Sequence, residues 1–310
     1  MTRTRTLAAG MLLAAIVPLA ACGGGGDPLT PSNDAAATGA STGAAASGSV
    51  RVGSADFPEA ALLGEVYAQA LEAKGMTVQR QFNIGSRETY LKAITGSEVD
   101  VIPEYTGSLL NFFDKNAKVT KPDEVYTALQ AAVPSGLTVL DKSAAEDKNS
   151  MAVSKDTAAE WNLKAIPDLA AHQAELTIAA PPEFKTRQQG LVGLKSVYNI
   201  VPKQFRPLQS QASVEALKNG QVKAANIFST DPSIAENGFV VLDDPESLFG
   251  SDNVVPLVRA DKADMVKGAL NAVSAKLDTS ALADMVKQVV VDKKDASAVA
   301  KTWLGTAGLE

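Results

Sequence analysis

From Ser49 onward the sequence alternates short apolar runs with stretches of helical period, and this alternation restricts the fold more than any other feature. Val50-Arg51-Val52 reads as a strand. Leu62, Leu63, Val66, Tyr67, Ala70 and Leu71 then fall on one helix face, and Gly75 ends that helix. Asp56 is placed to cap it, with Pro58 in the first turn and Glu59 completing a capping box. Met76 to Phe82 is a second strand, and a second helix runs from Arg87 to Gly96. Val99 to Ile102 is a third strand, stopped by Pro103, after which Leu109, Leu110 and Phe112 open another helical pattern. Strand and helix repeated three times specify parallel strands with crossover helices.

The middle of the chain repeats the alternation. Strands are expected near Met151 to Val153, Leu176 to Ala179, Phe205 to Leu208 and Ala224 to Ile227, then at Val240 to Leu242 and Val254 to Val258, before three closing helices. This is an α/β protein of two lobes, the second inserted into the first. Ligands of open α/β sheets bind beyond the carboxyl ends of the strands. The polar strand-to-helix corners (Ser54 to Phe57, Asn83 to Arg87, Glu104 to Ser108 and Phe228 to Asp231) therefore point at one cleft. Tyr105 sits at such a corner, whereas Tyr67, Tyr90, Tyr126 and Tyr198 read as helix packing.

Ahead of the body, Arg3 and Arg5 precede an apolar run from Leu7 to Leu19, and Leu19-Ala20-Ala21-Cys22 offers a small-residue cleavage site. The tetrapeptide resembles the lipobox of bacterial lipoproteins, so residues 1–22 are expected to be a lipoprotein signal peptide, with Cys22 lipidated. Residues 23–48 are rich in Gly, Ala, Ser and Thr and are expected to form a flexible tether. The expected location is the outer face of the cytoplasmic membrane.

Composition excludes several chemistries. A net charge of -6 without a Lys/Arg-rich block argues against a nucleic-acid partner. The chain has one cysteine and one histidine, His172, which reads as a solvated side chain. Two such residues build neither a transition-metal site nor a Cys–His or Ser–His nucleophile system. No G-x-S-x-G, Walker or G-x-G-x-x-G motif occurs, and no carboxylate pair stands out by position. The expectation is a binding protein without metal, cofactor or enzymatic activity; a cleft hydrolase and a solute sensor for signalling are the rival classes.

GSADFPEAALLGEVYAQALEAKG, NIGSRETYLKAITGSEVDVIPEYTGSLL, PPEFKTRQQGLVGLKSVY and IFSTDPSI resemble the substrate-binding lipoproteins of osmoprotectant ABC importers, which handle glycine betaine, choline, carnitine, proline betaine and related quaternary amines. The resemblance spans residues 49–304. It implies a fold similar to type II periplasmic binding proteins, two lobes with a hinge and a ligand cleft. Residues 49–147 plus 241–310 would form lobe 1, and 148–240 lobe 2. It further implies permease and ATPase subunits as partners of a monomeric receptor.

In that family an aromatic box, largely of tyrosines, surrounds the ammonium, which has no N–H to donate and is best served by ring faces. Tyr105 matches a box tyrosine. Phe228, Arg187 and Ser108 match a second ring, a carboxylate partner and a hydroxyl beside the box. Thr106 and Thr230 belong to the same two corners, and Asp56, Phe57 and Arg87 to the other two. Where members carry further box tyrosines, this chain has Asn149 and Ser150 at one crossover and Asn253 at the other, and Ala55 stands in place of a lysine. A box so thinned implies weak glycine betaine binding. The preferred ligand would be a bulkier quaternary amine or a polar aromatic (phenolic) molecule.

Overall fold

The computed structural model describes residues 48–310. Cys22, the leader and the tether up to residue 47 lie outside the described residues. Among the described residues, ten strands form two sheets: β1 (Ser49–Gly53), β2 (Thr77–Gln81), β3 (Val101–Tyr105), β4 (Leu137–Val139), β5 (Asn149–Val153), β6 (Thr177–Ala180), β7 (Gln204–Pro207), β8 (Ala224–Phe228), β9 (Val240–Val241) and β10 (Val254–Arg259). The first sheet has the order β2-β1-β3-β10-β4 and the second β7-β6-β8-β5-β9. In each, three parallel strands from consecutive units are joined by an antiparallel strand, β10 on β3 and β5 on β8. The fold is α/β with two lobes, as the alternation implied.

Helices α1 (Pro58–Glu72), α2 (Arg87–Thr95) and α3 (Thr106–Phe113) follow the first three strands. The apolar face of α1, with Leu62, Leu63, Val66 and Tyr67 fully buried, packs on the sheet against the closing helices Ala263–Ser274, Thr279–Val290 and Ala296–Ala307. A second core, containing Leu91, Ile94, Leu109 and Leu129, covers the opposite face.

Two segments connect the sheets, and they bond to each other. Residues 140–148 lead from β4 to β5, and the chain returns to β10 through 251–253. Ser143 N–H donates to the Val254 carbonyl at 2.8 Å and Asp147 N–H to the Asp252 carbonyl at 3.1 Å. The return was expected near residue 241, but Leu242 and Phe249 pack in the second sheet's core with Leu169 and Leu194.

Three local expectations need correction. Pro103 does not stop the third strand: β3 runs on to Tyr105, and Pro103 faces Pro256 across the antiparallel pair, so both missing donors fall on one rung. Asp56 does not cap α1. The N-cap is Phe57, with no side-chain cap bond, and Glu59 spends its carboxylate elsewhere instead of reaching back. His172 is half-buried rather than solvated, stacked on Trp161 with ring centroids 4.3 Å apart.

Candidate ligand cleft between the two sheets

The strand-to-helix corners of both sheets open onto one cavity of about 400 Å³. The corner Glu104-Tyr105-Thr106-Gly107-Ser108 is built by close backbone approach. A Cβ on Gly107 would lie 2.3 Å from the Ser251 carbonyl oxygen, so only glycine lets the start of α3 abut the second connecting segment. Tyr105 ends β3 and is 7% exposed. Its hydroxyl donates to Glu59 Oε1 at 2.6 Å. Burial, with Glu59 next to it, raises the phenol well above its ordinary range, so it stays a neutral donor.

Three rings line up in the cleft. Phe57 stacks on Tyr105 with centroids 6.2 Å apart and on Phe228 at 5.4 Å, the planes inclined by 30° and 23°. Tyr105 and Phe57 come from the first sheet's corners and Phe228 from the end of β8, so the row spans both lobes.

Around the rings lies a buried polar floor. Arg87, at the start of α2, makes a two-pronged pair with Glu104, both contacts 2.8 Å, and Tyr90 donates to the same carboxylate at 2.7 Å. Both partners are buried, so the guanidinium's charge is neutralised within the protein. Glu59 Oε2 accepts from the Thr230 hydroxyl at 2.6 Å, linking the lobes. Asp147 accepts from the Thr230 N–H at 3.0 Å and the Ser229 hydroxyl at 3.1 Å. Burial raises the Glu59 carboxyl, and burial with Glu59 adjacent raises Asp147 well above the usual carboxylate range.

A second cross-lobe network centres on Ser108. Its N–H donates to Asp252 Oδ1 at 2.9 Å, while its Oγ lies 2.8 Å from Gln189 Oε1 and also against Asp252 Oδ2. Gln189 is oriented by its amide N–H, which donates to the Phe249 carbonyl at 2.8 Å. One serine hydrogen cannot serve two acceptors; a proton on Asp252 satisfies the chain, with Asp252 donating to Ser108 and Ser108 to Gln189. Burial pushes Asp252 up to about 7, against the pull of the Ser108 hydrogen bonds and Arg87. At the mouth, Arg187 pairs with Glu88 through contacts of 3.2 and 3.0 Å. Although burial opposes it, the hydrogen bonds from Arg187 and Ser86 lower Glu88 to about 2.

The cleft lining includes Asp56, Phe57, Arg87, Tyr105 and Ser108 from the first sheet's side, and Asn149, Arg187 and Phe228 from the second's. Four expected residues point elsewhere. Thr106 is fully buried and accepts from the Asn253 N–H at 3.0 Å, and the Asn253 amide turns to the Ala145 carbonyl. Ser150 donates to the Ile227 carbonyl within the β5–β8 pair, and Thr230 is committed to Glu59. Sequence reasoning missed Asp147, Asp252, Tyr90 and Gln189, all of which line the cleft. It also saw no carboxylate pair, where the structure brings Glu59 and Asp147 together. Among the described residues, no group of three or more His, Cys, Asp or Glu could hold a metal ion. No described helix is long and apolar enough to cross a membrane.

Comparison with known proteins agrees with this architecture. The chain is 28% identical over 284 residues to the glycine betaine-binding protein YehZ of Escherichia coli K12, covering 84% of this chain and 90% of that protein. It is 24% identical to the ergothioneine transport permease/ergothioneine binding protein EgtU of Helicobacter pylori G27, over 80% of this chain but 46% of the larger relative. Among solved structures, a glycine betaine/carnitine/choline ABC transporter protein superposes with a TM-score of 0.66 at 21% identity, over 84% of this chain and 99% of that one. Apo YehZ from Escherichia coli superposes at 0.59 with 26% identity and the same coverage. The pattern of the family described as the substrate binding domain of ABC-type glycine betaine transport systems matches residues 48–306, more than half of the chain. The chain belongs to that family of transport substrate-binding domains.

Proposed function

We propose that this chain is the extracytoplasmic solute receptor of an ABC importer, held at the membrane by a lipid on Cys22. It binds a quaternary amine osmoprotectant between its lobes and delivers it to the permease. The observation that carries the ligand class is the ring row Tyr105–Phe57–Phe228 beside buried carboxyls. Of the cations lining the cleft, Arg87 is neutralised by Glu104 and Arg187 is engaged by Glu88, while Lys115 also reaches the lining. A methylated ammonium gains from ring faces and from negative surroundings without needing a hydrogen-bond acceptor.

A second reading is favoured by the cavity's size and its amide lining. About 400 Å³, edged by Asn149, Gln189, Gln209 and Asn226, suits a ligand larger than glycine betaine. A betaine carrying a heteroaromatic ring, such as the ergothioneine named for EgtU, or a phenolic solute would fill it. Titration calorimetry across glycine betaine, choline, carnitine, proline betaine, ergothioneine and simple phenols separates the readings. The first expects glycine betaine (weakly), choline, carnitine and proline betaine to bind; binding confined to ergothioneine or phenols would replace it with the second. Turnover of any of these solutes would instead point to an enzyme.

A further inference from the structure

Glu59 and Asp147 are 5% and 3% exposed and converge on Thr230, whose hydroxyl donates to Glu59 at 2.6 Å and whose N–H donates to Asp147 at 3.0 Å. Two carboxylates buried side by side cannot both ionise cheaply, so they favour sharing one proton. Their contacts are neutral donors: the Tyr105 and Thr230 hydroxyls on Glu59, and the Thr230 N–H and Ser229 hydroxyl on Asp147. The titratable groups facing the pair are Tyr105 on β3, Asp231 beyond Thr230, and Asp252 on the returning segment, all acidic or neutral. The neighbouring cation, Lys148, turns its amine toward Glu146 at 4.0 Å. The pair therefore holds one proton and one negative charge, and no protein cation neutralises it.

Of the two, Asp147 lines the cleft, close to Asn149, whose register partner across the strand pair is Phe228. We propose that Asp147 is the counter-carboxylate for the ligand's cationic head, and that cation binding expels the proton it shares with Glu59. This rests on the quaternary-amine reading. A fixed positive charge beside a carboxyl favours its ionised form. A quaternary ammonium cannot accept the displaced proton, so the proton passes to solvent. Selection for charge thus comes from Asp147, and selection for methyl groups from the rings.

The test is calorimetric titration of the purified full-length protein with choline in two buffers of different ionisation enthalpy, phosphate and Tris. At pH 7 the buffer dependence should report release of at least about half a proton per choline bound. Asp147→Asn should abolish that release and weaken choline about tenfold or more, while leaving the uncharged tert-butyl analogue of choline unaffected. Glu59→Gln retains an acceptor for the Tyr105 and Thr230 hydroxyls and should also abolish release, so the result does not depend on one variant folding. Choline binding with no buffer dependence would overturn the proposal and leave the quaternary-amine reading standing. Failure of every methylated amine to bind would overturn both.

Discussion

Arg187, from the second sheet's side, grips Glu88 on α2 through two nitrogens at 3.2 and 3.0 Å and so ties the two lobes at the cleft mouth. Both side chains remain partly exposed, so the pair is a weak latch, worth about 0.2–1 kcal/mol. Glu88→Gln is expected to shift the unliganded protein toward a more open form, with a larger radius of gyration in solution scattering. Ligand affinity should change less than about fivefold. An unchanged radius in the variant would mean that the latch does not hold the lobes.

The Arg87–Glu104 pair behaves differently because neither charge reaches solvent. Arg87→Met leaves Glu104 buried beside Tyr90 without a countercharge, a loss of about 3–5 kcal/mol. In a protein of this size that lowers the melting temperature by roughly 2–4 °C per kcal/mol. Adding Glu104→Leu should recover much of it. A single variant that melts with the wild type would show that the pair is not a structural element of the cleft.

How the cleft carboxyls titrate fixes the direction of the pH dependence. Unfolded, an aspartate loses its proton near about 4; folded, Asp252 keeps it to about 7. Between those values the folded state binds more protons, so stability is greatest at the acidic end and declines as pH rises, by up to about 1.4 kcal/mol per unit for one group. Glu59 and Asp147, also raised, act in the same sense. Glu88, lowered to about 2, adds stability that is lost only as pH falls below its unfolded value. Denaturant midpoints should therefore fall from pH 5.5 to pH 8, and Asp252→Asn should flatten the slope. A wild-type midpoint that rises over this interval contradicts the assignment.

Much of this was legible in the primary structure because it is local. The order of strands and helices follows from apolar period, and the corner at Tyr105 from the apolar run that precedes it and the helical pattern that follows. What was not legible comes from contacts distant in sequence. Glu59 reads as a capping residue because a box spans only three positions; its true partners, Tyr105 and Thr230, lie 46 and 171 residues away. Asp252 becomes a proton holder only where the returning segment buries it against Ser108, 144 residues distant. Tyr90 fits a helix-packing pattern equally well, and nothing local shows that its hydroxyl reaches Glu104. Ser150 and Asn253 stand at the right places in the chain, yet strand pleat and backbone partners turn them inward.

The proposed anchor is tested by fractionation. Cys22→Ala should move the protein from the membrane to the soluble extracytoplasmic fraction; an unlipidated variant that still sediments with membranes would remove the lipid from the account.

Each ring of the row is expected to contribute about 0.5–2 kcal/mol to a methylated cation. Phe57→Ala and Phe228→Ala should each weaken choline roughly two- to thirtyfold. Loss of binding to neither variant would show that the ligand lies away from the rings.

The most direct measurement is the contact itself. With selectively labelled Phe and Tyr, intermolecular nuclear Overhauser effects between the N-methyl protons of bound choline and the ring protons locate the cation. The account predicts cross-peaks to Phe57, Tyr105 and Phe228 together, lost on Tyr105→Ala for that ring alone. A saturated complex whose N-methyl protons show no contact with any of the three would contradict it.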